Sequence, residues 1–502
     1  MTKLKHFNTQ TEYDNYVKSD PTYSEPNVSS IENQTTKKVI YAKKARILTF
    51  TAIEANSSIQ LIANGSPDPI SLQYSIDNGE IWNNYAINDI VSLTNIGDNV
   101  KFKGVNSKFS KDYDNYYTFS MTGKIRANGD ITSLLNGIGG DCQLPYCSFW
   151  GAFSQCSSLV KAPNFPSVTI SQYCYGYIFG ECINLIEAPE LPAMTLVDGC
   201  YYSMFYGCVS LRKAPKLPAT TLASDCYFYM FYGCSNLKIA PELPAMTATY
   251  GCYASMFNGC TSLRTAPKLP AISIGEWCYE DMFKGCTSLV SPPELPAMTL
   301  AQGCYSSIFS GCTSLTSAPT LPAMTMTKGC YHGMFDGCTS LLSAPELPAT
   351  TLAENCYGSI FNKCKSMTKA PSQLPATELK KSCYRNLFFE CESLKEFPEL
   401  PVTTLAEDCY GCMFVRCYGL TKAPDLPATV LATNCYFQMF FECTNLKYVK
   451  AMFTTTPSDT YTKEWFYGIT QSGTFVKNAA AEWTNTGINA VPANWTIETA
   501  TA

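Results

Sequence analysis

The sequence predicts an α/β repeat protein: a right-handed solenoid of about 12 units of 26 residues, preceded by a small all-β sandwich domain. Three observations predict it. A Cys-Tyr pair recurs at a fixed interval through most of the chain. Each pair opens a short apolar face that runs into a proline-rich stretch. A segment of alternating polarity with turn signals comes before the first unit.

The interval is read directly. Cys-Tyr pairs start at Cys174 and recur every 26 residues to Cys435, with one step of 27 where Gln373 is inserted. A degenerate first copy begins at Cys147, where Trp150-Gly151-Ala152-Phe153 carries one extra residue. A second cysteine follows eight residues after each of the eleven Cys-Tyr pairs, from Cys182 to Cys443, and Cys156 serves the first copy, so twelve pairs hold 24 of the 26 cysteines and leave Cys142 and Cys412 over. The unit reads Cys-Tyr-x-x-Met/Ile-Phe-x-x-Cys-x-Ser/Asn-Leu-x-x-Ala-Pro-x-Leu-Pro-Ala-x-Thr-Leu.

Placed on a helix at ~100° per residue, positions 0, 1, 4, 5 and 8 of the unit fall within a ~140° arc, which predicts a two-turn amphipathic helix. The Ala-Pro-x-Leu-Pro segment cannot continue it, because proline lacks a donor and disfavours helical geometry in the residue before it. That segment predicts a short extended rung. A unit this small buries its apolar face only against a neighbour, so the core forms by stacking.

Phe257-Asn258-Gly259-Cys260-Thr261-Ser262-Leu263 shows the part of the unit that resembles the BspA-like (Treponema-type) leucine-rich repeats, whose units carry an Ala-Phe-x-x-Cys-x-x-Leu core. The resemblance covers roughly residues 142–450 and implies a leucine-rich-type solenoid. It also implies non-enzymatic binding, since such repeats occur in bacterial surface adhesins, protist surface proteins, and fibre or decoration proteins of phages of gut Bacteroidetes. The longer unit with its Pro-x-Leu-Pro-Ala-x-Thr-Leu tail is similar to the phage-associated and Bacteroides forms.

Composition narrows the function classes. A net charge of −5 leaves no basic footprint for nucleic acid. The two histidines, His6 and His332, leave little for a Ser-His-Asp triad or a histidine-rich metal site. No singular pair of carboxylates stands out for glycan hydrolysis. The expectation is a protein that is not an enzyme and takes no cofactor or metal. The polar amino terminus lacks the apolar stretch of a signal peptide, and no window approaches the ~20 apolar residues of a membrane span.

Cysteines eight apart on a helix would lie ~12 Å apart, beyond bridging distance. The readings left for them are two ladders of small buried hydrophobes, disulfides between rungs, or metal ligation. No recurring Cys-x-x-Cys spacing supports the last. On the opposite face, helix positions 2 and 6 point outward. They are mostly polar in the middle units but aromatic near the ends: Tyr202 with Tyr206, Phe228 with Tyr232, and Phe437 with Phe441 beside Phe389. These seven are the candidate partner-contact patch. Contact with another chain, burial by a flanking domain and a glycan platform all fit. On the rungs, Glu190, Lys216, Glu242, Lys268 and Glu294 alternate in sign in successive units, which predicts unlike charges side by side.

The flanks complete the plan. Residues 1–37 read as an extended anchoring arm, 38–128 as a β-sandwich of about seven strands, 129–451 as the solenoid and 452–502 as a C-terminal cap carrying Trp465, Trp483 and Trp495. Ser75-Ile76-Asp77-Asn78-Gly79-Glu80-Ile81-Trp82 matches the Asp-box of sialidase propellers. A single copy centred on Asn78-Gly79 reads as a hairpin stabiliser rather than a catalytic element.

From the resemblance and the missing leader, the expected role is a virion component assembled in the host cytoplasm. The arm would bind other virion proteins and the solenoid would meet a host-surface glycan or protein, without nucleic acid or membrane insertion. The alternative is a bacterial cell-surface adhesin. A homotrimer would suit a fibre, although no heptads support one.

Overall fold

The computed structural model describes residues 4–6, 40–42 and 45–500, which form two compact units, 1–193 and 194–502. The arm expected over 1–37 lies outside the described residues except for β1 (Leu4–His6), which pairs antiparallel with β2 (Ile40–Ala42).

In the first unit the alternating segments do form strands. These are β3 (Leu48–Ala52), β4 (Ser57–Asn64), β5 (Leu72–Ser75), β6 (Asn83–Tyr85), β7 (Val91–Leu93), β8 (Asn99–Gly104), β9 (Tyr116–Thr122) and β10 (Ile125–Asn128). Period-2 patterning puts Leu48, Phe50 and Ala52 of β3, and Tyr117, Phe119 and Met121 of β9, on buried faces. Phe50 and Phe119 meet across the two sheets with ring centroids 5.0 Å apart. The smaller sheet runs β7-β4-β9, and the larger runs β10-β3-β8-β5-β6 with a further strand beside β10. Its sixth strand, β11 (Leu159–Lys161), comes from the first repeat and pairs parallel with β10.

The Asp-box is a hairpin clip. Asp77 Oδ1 accepts from the Ser75 hydroxyl at 2.6 Å and from the Glu80 and Ile81 amides, while the Trp82 indole donates to the Gly79 carbonyl at 3.0 Å. Those bonds hold the Asp77 carboxyl below its ordinary range, with the Ser75 hydrogen bond the largest cause.

The repeats stack as a solenoid, but the segment expected to be helical is not. The described residues contain one short helix, α1 (Ser133–Asn136), and it lies outside the repeats. Each apolar arc is instead a run of β-turns with a left-handed residue every fourth position. In one rung these are Gly199 (φ 58°), Ser203 (51°) and Gly207 (67°), and in the next Asp225 (54°), Tyr229 (56°) and Gly233 (70°).

Amide donors alternate accordingly. Tyr202, Met204 and Tyr206 donate three residues back to Gly199, Tyr201 and Ser203, while Tyr201, Ser203, Phe205 and Gly207 donate to Cys226, Phe228, Met230 and Tyr232 of the following rung. Every amide from Tyr201 to Gly207 is thereby paired, four of the seven only because a neighbour is present. A period of four places positions 0, 1, 4, 5 and 8 inward just as a helix would, which is why the apolar spacing could not separate the two.

The same geometry corrects the first copy. Cys147 is left-handed (φ 53°), as are Gly151 and Gln155, so the arc carries no extra residue. Phe149 donates to Cys174 and its ring stacks on Tyr175 at 6.0 Å, which gives position 0 to Ser148.

Inside the second unit the core is a set of ladders. Tyrosine rings at position 1 stack from Tyr201–Tyr227 (5.9 Å) to Tyr410–Tyr436 (6.3 Å), and phenylalanines at position 5 stack beside them, as in Phe231–Phe257 at 5.6 Å. The proline segments are extended. With their donors removed they pair mostly at single parallel bridges on either side, such as Lys213↔Ile239 and Thr325↔Thr351, and at one two-residue ladder, Thr247–Ala248 with Ser273–Ile274.

At the far end β12 (Tyr448–Ala451), β13 (Thr474–Lys477) and β14 (Thr496–Thr499) form a parallel sheet. Residues 461–468 keep the arc although their cysteine signature is gone. Tyr436 donates to Tyr461 and Phe440 to Trp465, and Glu464 and Gly468 are left-handed. Trp465 is fully buried there, donating to Ala490 at 2.8 Å.

Candidate binding surface

All 26 cysteines are free thiols and 25 are buried, Cys142 being the half-exposed one. The second ladder does more than fill space. Its thiols donate across rungs to the position-5 carbonyl, from Cys234 to Phe205 at 3.1 Å through Cys338 to Phe309 at 3.1 Å and Cys443 to Phe414 at 2.8 Å. Burial pushes these thiols up, Cys312 and Cys443 to about 12, so none of the ladder is a nucleophile at neutral pH.

On the outer face all seven expected aromatic residues are half-exposed. Four of them form two rows: Tyr202 stacks on Phe228 at 5.2 Å and Tyr206 on Tyr232 at 5.0 Å, within 15° of parallel. Tyr229, at a left-handed position, packs edge-on between Phe228 (4.1 Å) and Tyr232 (5.2 Å) and ties the rows together. Near the other end Phe441 stacks on Tyr467 at 4.8 Å, and the Arg385 guanidinium lies 5.9 Å over the Phe437 ring. Phe389 stands apart, because position 6 of the following rung is the buried aliphatic Val415.

The row at position 2 breaks at Ala254, and the break is a groove of about 450 Å³ lined by Tyr202, Asp225, Phe228, Tyr250, Gly251, Ala254, Trp277 and Glu280. Small residues make its floor: Gly251 and Ala254 are buried where neighbouring rungs carry Asp225 with Phe228 and Trp277 with Glu280. A side chain on Gly251 would meet Asp225 Oδ1 at 2.2 Å, and one on Gly303 would meet the Trp277 ring at 2.1 Å. Glycine at these places therefore sets where the carboxylate and the indole lie. Burial raises the carboxyls of Asp225 and Glu280, with the Asp198 and Asp281 charges adding to it.

Sequence reasoning found Tyr202 and Phe228 but missed Asp225, Tyr250, Trp277 and Glu280. The available signal was a column read in register: the residue before Cys-Tyr is glycine in Gly199, Gly251, Gly303 and Gly329 but tryptophan in Trp277. Tyr467 was missed because its unit has lost both cysteines. The Glu190, Lys216, Glu242, Lys268 and Glu294 row is exposed, and among the described residues none of the five closes an ion pair. Rung-to-rung pairs form elsewhere, as between Lys328 and Glu354 at 3.1 Å and Lys381 and Glu407 at 2.8 Å.

The model of the BspA type leucine rich repeat region matches residues 150–290 and 278–419, in six copies, which together exceed half of the chain. The chain belongs to the BspA-type leucine-rich repeat family. Solenoids of this family are binding and structural scaffolds. No curated protein matches the sequence. Among solved structures, the crystal structure of a TLR13-ssRNA13 complex is similar at 12% identity with a TM-score of 0.24, over 68% of this chain and 46% of that one. This BspA-type chain thus spans less than half the length of that structure. No helix among its described residues is long and apolar enough to cross a membrane.

Proposed function

We propose that this BspA-type protein is a non-enzymatic component of a phage virion, a fibre or decoration whose aromatic rungs contact a host surface or another virion protein. The observation that carries the binding role is the pair of stacked, half-exposed aromatic rows beside a groove, an arrangement with the composition of an interface core.

The thiol inventory supports assembly in a cytoplasm. Twenty-six free cysteines, the ladder thiols among them hydrogen-bonded as donors, suit a chain that folds under reducing conditions, whereas an oxidising compartment would invite mispairing. In this reading residues 1–37 anchor the chain to the particle and three copies associate.

Mass spectrometry of density-banded particles and of washed cell envelopes from the source culture tests it. Fixed stoichiometry in particles is the expected result. Recovery from envelopes alone would replace the virion component by a cell-surface adhesin.

A further inference from the structure

We propose that the groove between the Asp225 and Trp277 rungs takes an arginine side chain from an extended segment of a partner protein. This rests on the binding role above and names its chemistry. The lining holds four aromatic rings and two carboxylates, with no basic residue among them. Among the described residues, neither the Asp225 nor the Glu280 side chain accepts a hydrogen bond from this chain or closes an ion pair with it.

Half-buried carboxylates without a partner are costly, and a scaffold that meets no cation of its own there is complementary to one from outside. Both are already pressed toward protonation by burial and by a neighbouring acid, Asp198 for one and Asp281 for the other. Among the described residues Lys284 is the cation whose charge reaches Glu280, and it is held by Asp281 at 3.1 Å.

The rings select among cations. A planar guanidinium stacks on an aromatic face and meets a carboxylate with two parallel donors at once, which an ammonium does not. Trp277 is the ring with the strongest claim to such a role. It occupies the left-handed position that each rung repeats (φ 58°), and Gly303 of the next rung leaves its ring room. Asp225 and Glu280 stand two rungs apart with the Gly251 and Ala254 floor between them, so a strand laid along the stack passes both.

The test uses the full chain and isothermal titration with acetyl-Gly-Arg-Gly-Gly-Arg-Gly-amide, alongside the same peptide with lysine or citrulline for arginine. Saturable binding is expected, at least tenfold weaker for citrulline and several-fold weaker for lysine. The isosteric double variant Asp225→Asn/Glu280→Gln should weaken the arginine peptide at least tenfold. Glu242→Gln/Glu294→Gln, an equal change of charge on the proline segments outside the groove, should leave it within twofold. Circular dichroism confirms that each variant is folded.

Equal losses in the two double variants would assign the effect to overall charge and overturn the proposal. So would equal affinity for citrulline, no binding at millimolar peptide, or groove-dependent binding of neutral cellohexaose or chitohexaose instead. Particle location is read by a separate measurement, so failure here leaves the virion assignment standing, and the reverse holds too.

Discussion

The thiol of Cys234 donates to the carbonyl oxygen of Phe205, 3.1 Å away in the preceding rung, and both groups are fully buried. The bond joins neighbouring rungs at a point where no backbone donor is left over, since the Cys208 amide already serves the same carbonyl within its own rung. Cys234→Ala removes the donor and about one methyl-sized group from a closed core. The expected cost is ~1–2 kcal/mol, read as a lower urea midpoint. An unchanged midpoint would mean the thiol only occupies space.

Thiol reactivity follows from burial. Iodoacetamide on the native protein should modify Cys142 alone, and after denaturation all 26 cysteines. Cys142 should itself react slowly, because partial burial raises its thiol. Native labelling within the ladders would instead report opening of the rungs, since Cys200, Cys252 and Cys383 are pushed up to about 12 by burial.

Along the tyrosine ladder the hydroxyls of Tyr331 and Tyr384 are buried with no hydrogen-bond partner among the described residues. An orphaned hydroxyl costs ~1–3 kcal/mol, so Tyr331→Phe should leave the melting temperature unchanged or raise it while keeping the ring stack. A clear fall would show that a bound water satisfies the row.

The groove carboxyls predict a pH dependence of the opposite sign to the usual acid loss. Asp225 and Glu280 bind their protons more tightly folded than unfolded, where 3.8 and 4.5 are the ordinary values. Their contribution is fully present below those values and is lost as pH rises through the raised ones. Asp225→Asn/Glu280→Gln should therefore melt higher than the parent at pH 7, and the gap should close as pH falls below 4. A gap independent of pH would exclude this cause.

Much of the solenoid was legible because its signal is arithmetic. The Cys-Tyr interval located eleven rungs, and the prolines located the extended segments. What the spacing could not show was the conformation of the arc, since periods of 3.6 and 4 agree over eight residues. The recurrent Gly207, Gly233 and Gly259 at the position before the second cysteine were the missed clue to a left-handed residue. The rung at 461–468 was hidden because Trp465 and Phe466 keep the inward positions without any cysteine. The outer aromatic residues were found, but the groove was not, because it is made by the small residues between them.

Gln373 enlarges its unit by one residue and lies in the proline segment, yet the rungs on either side of it still bond, Tyr357 to Cys383 at 3.1 Å and Ser359 to Arg385 at 2.7 Å. Length change is thus absorbed where the backbone has few bonds to lose, and a whole unit could be gained or lost with both new junctions native. The molecule then behaves as a graduated ruler. Copy number would set the distance between the groove and the distal Phe441–Tyr467 pair in steps of one ring stack, 5.6 Å between Tyr253 and Tyr279, without altering either end.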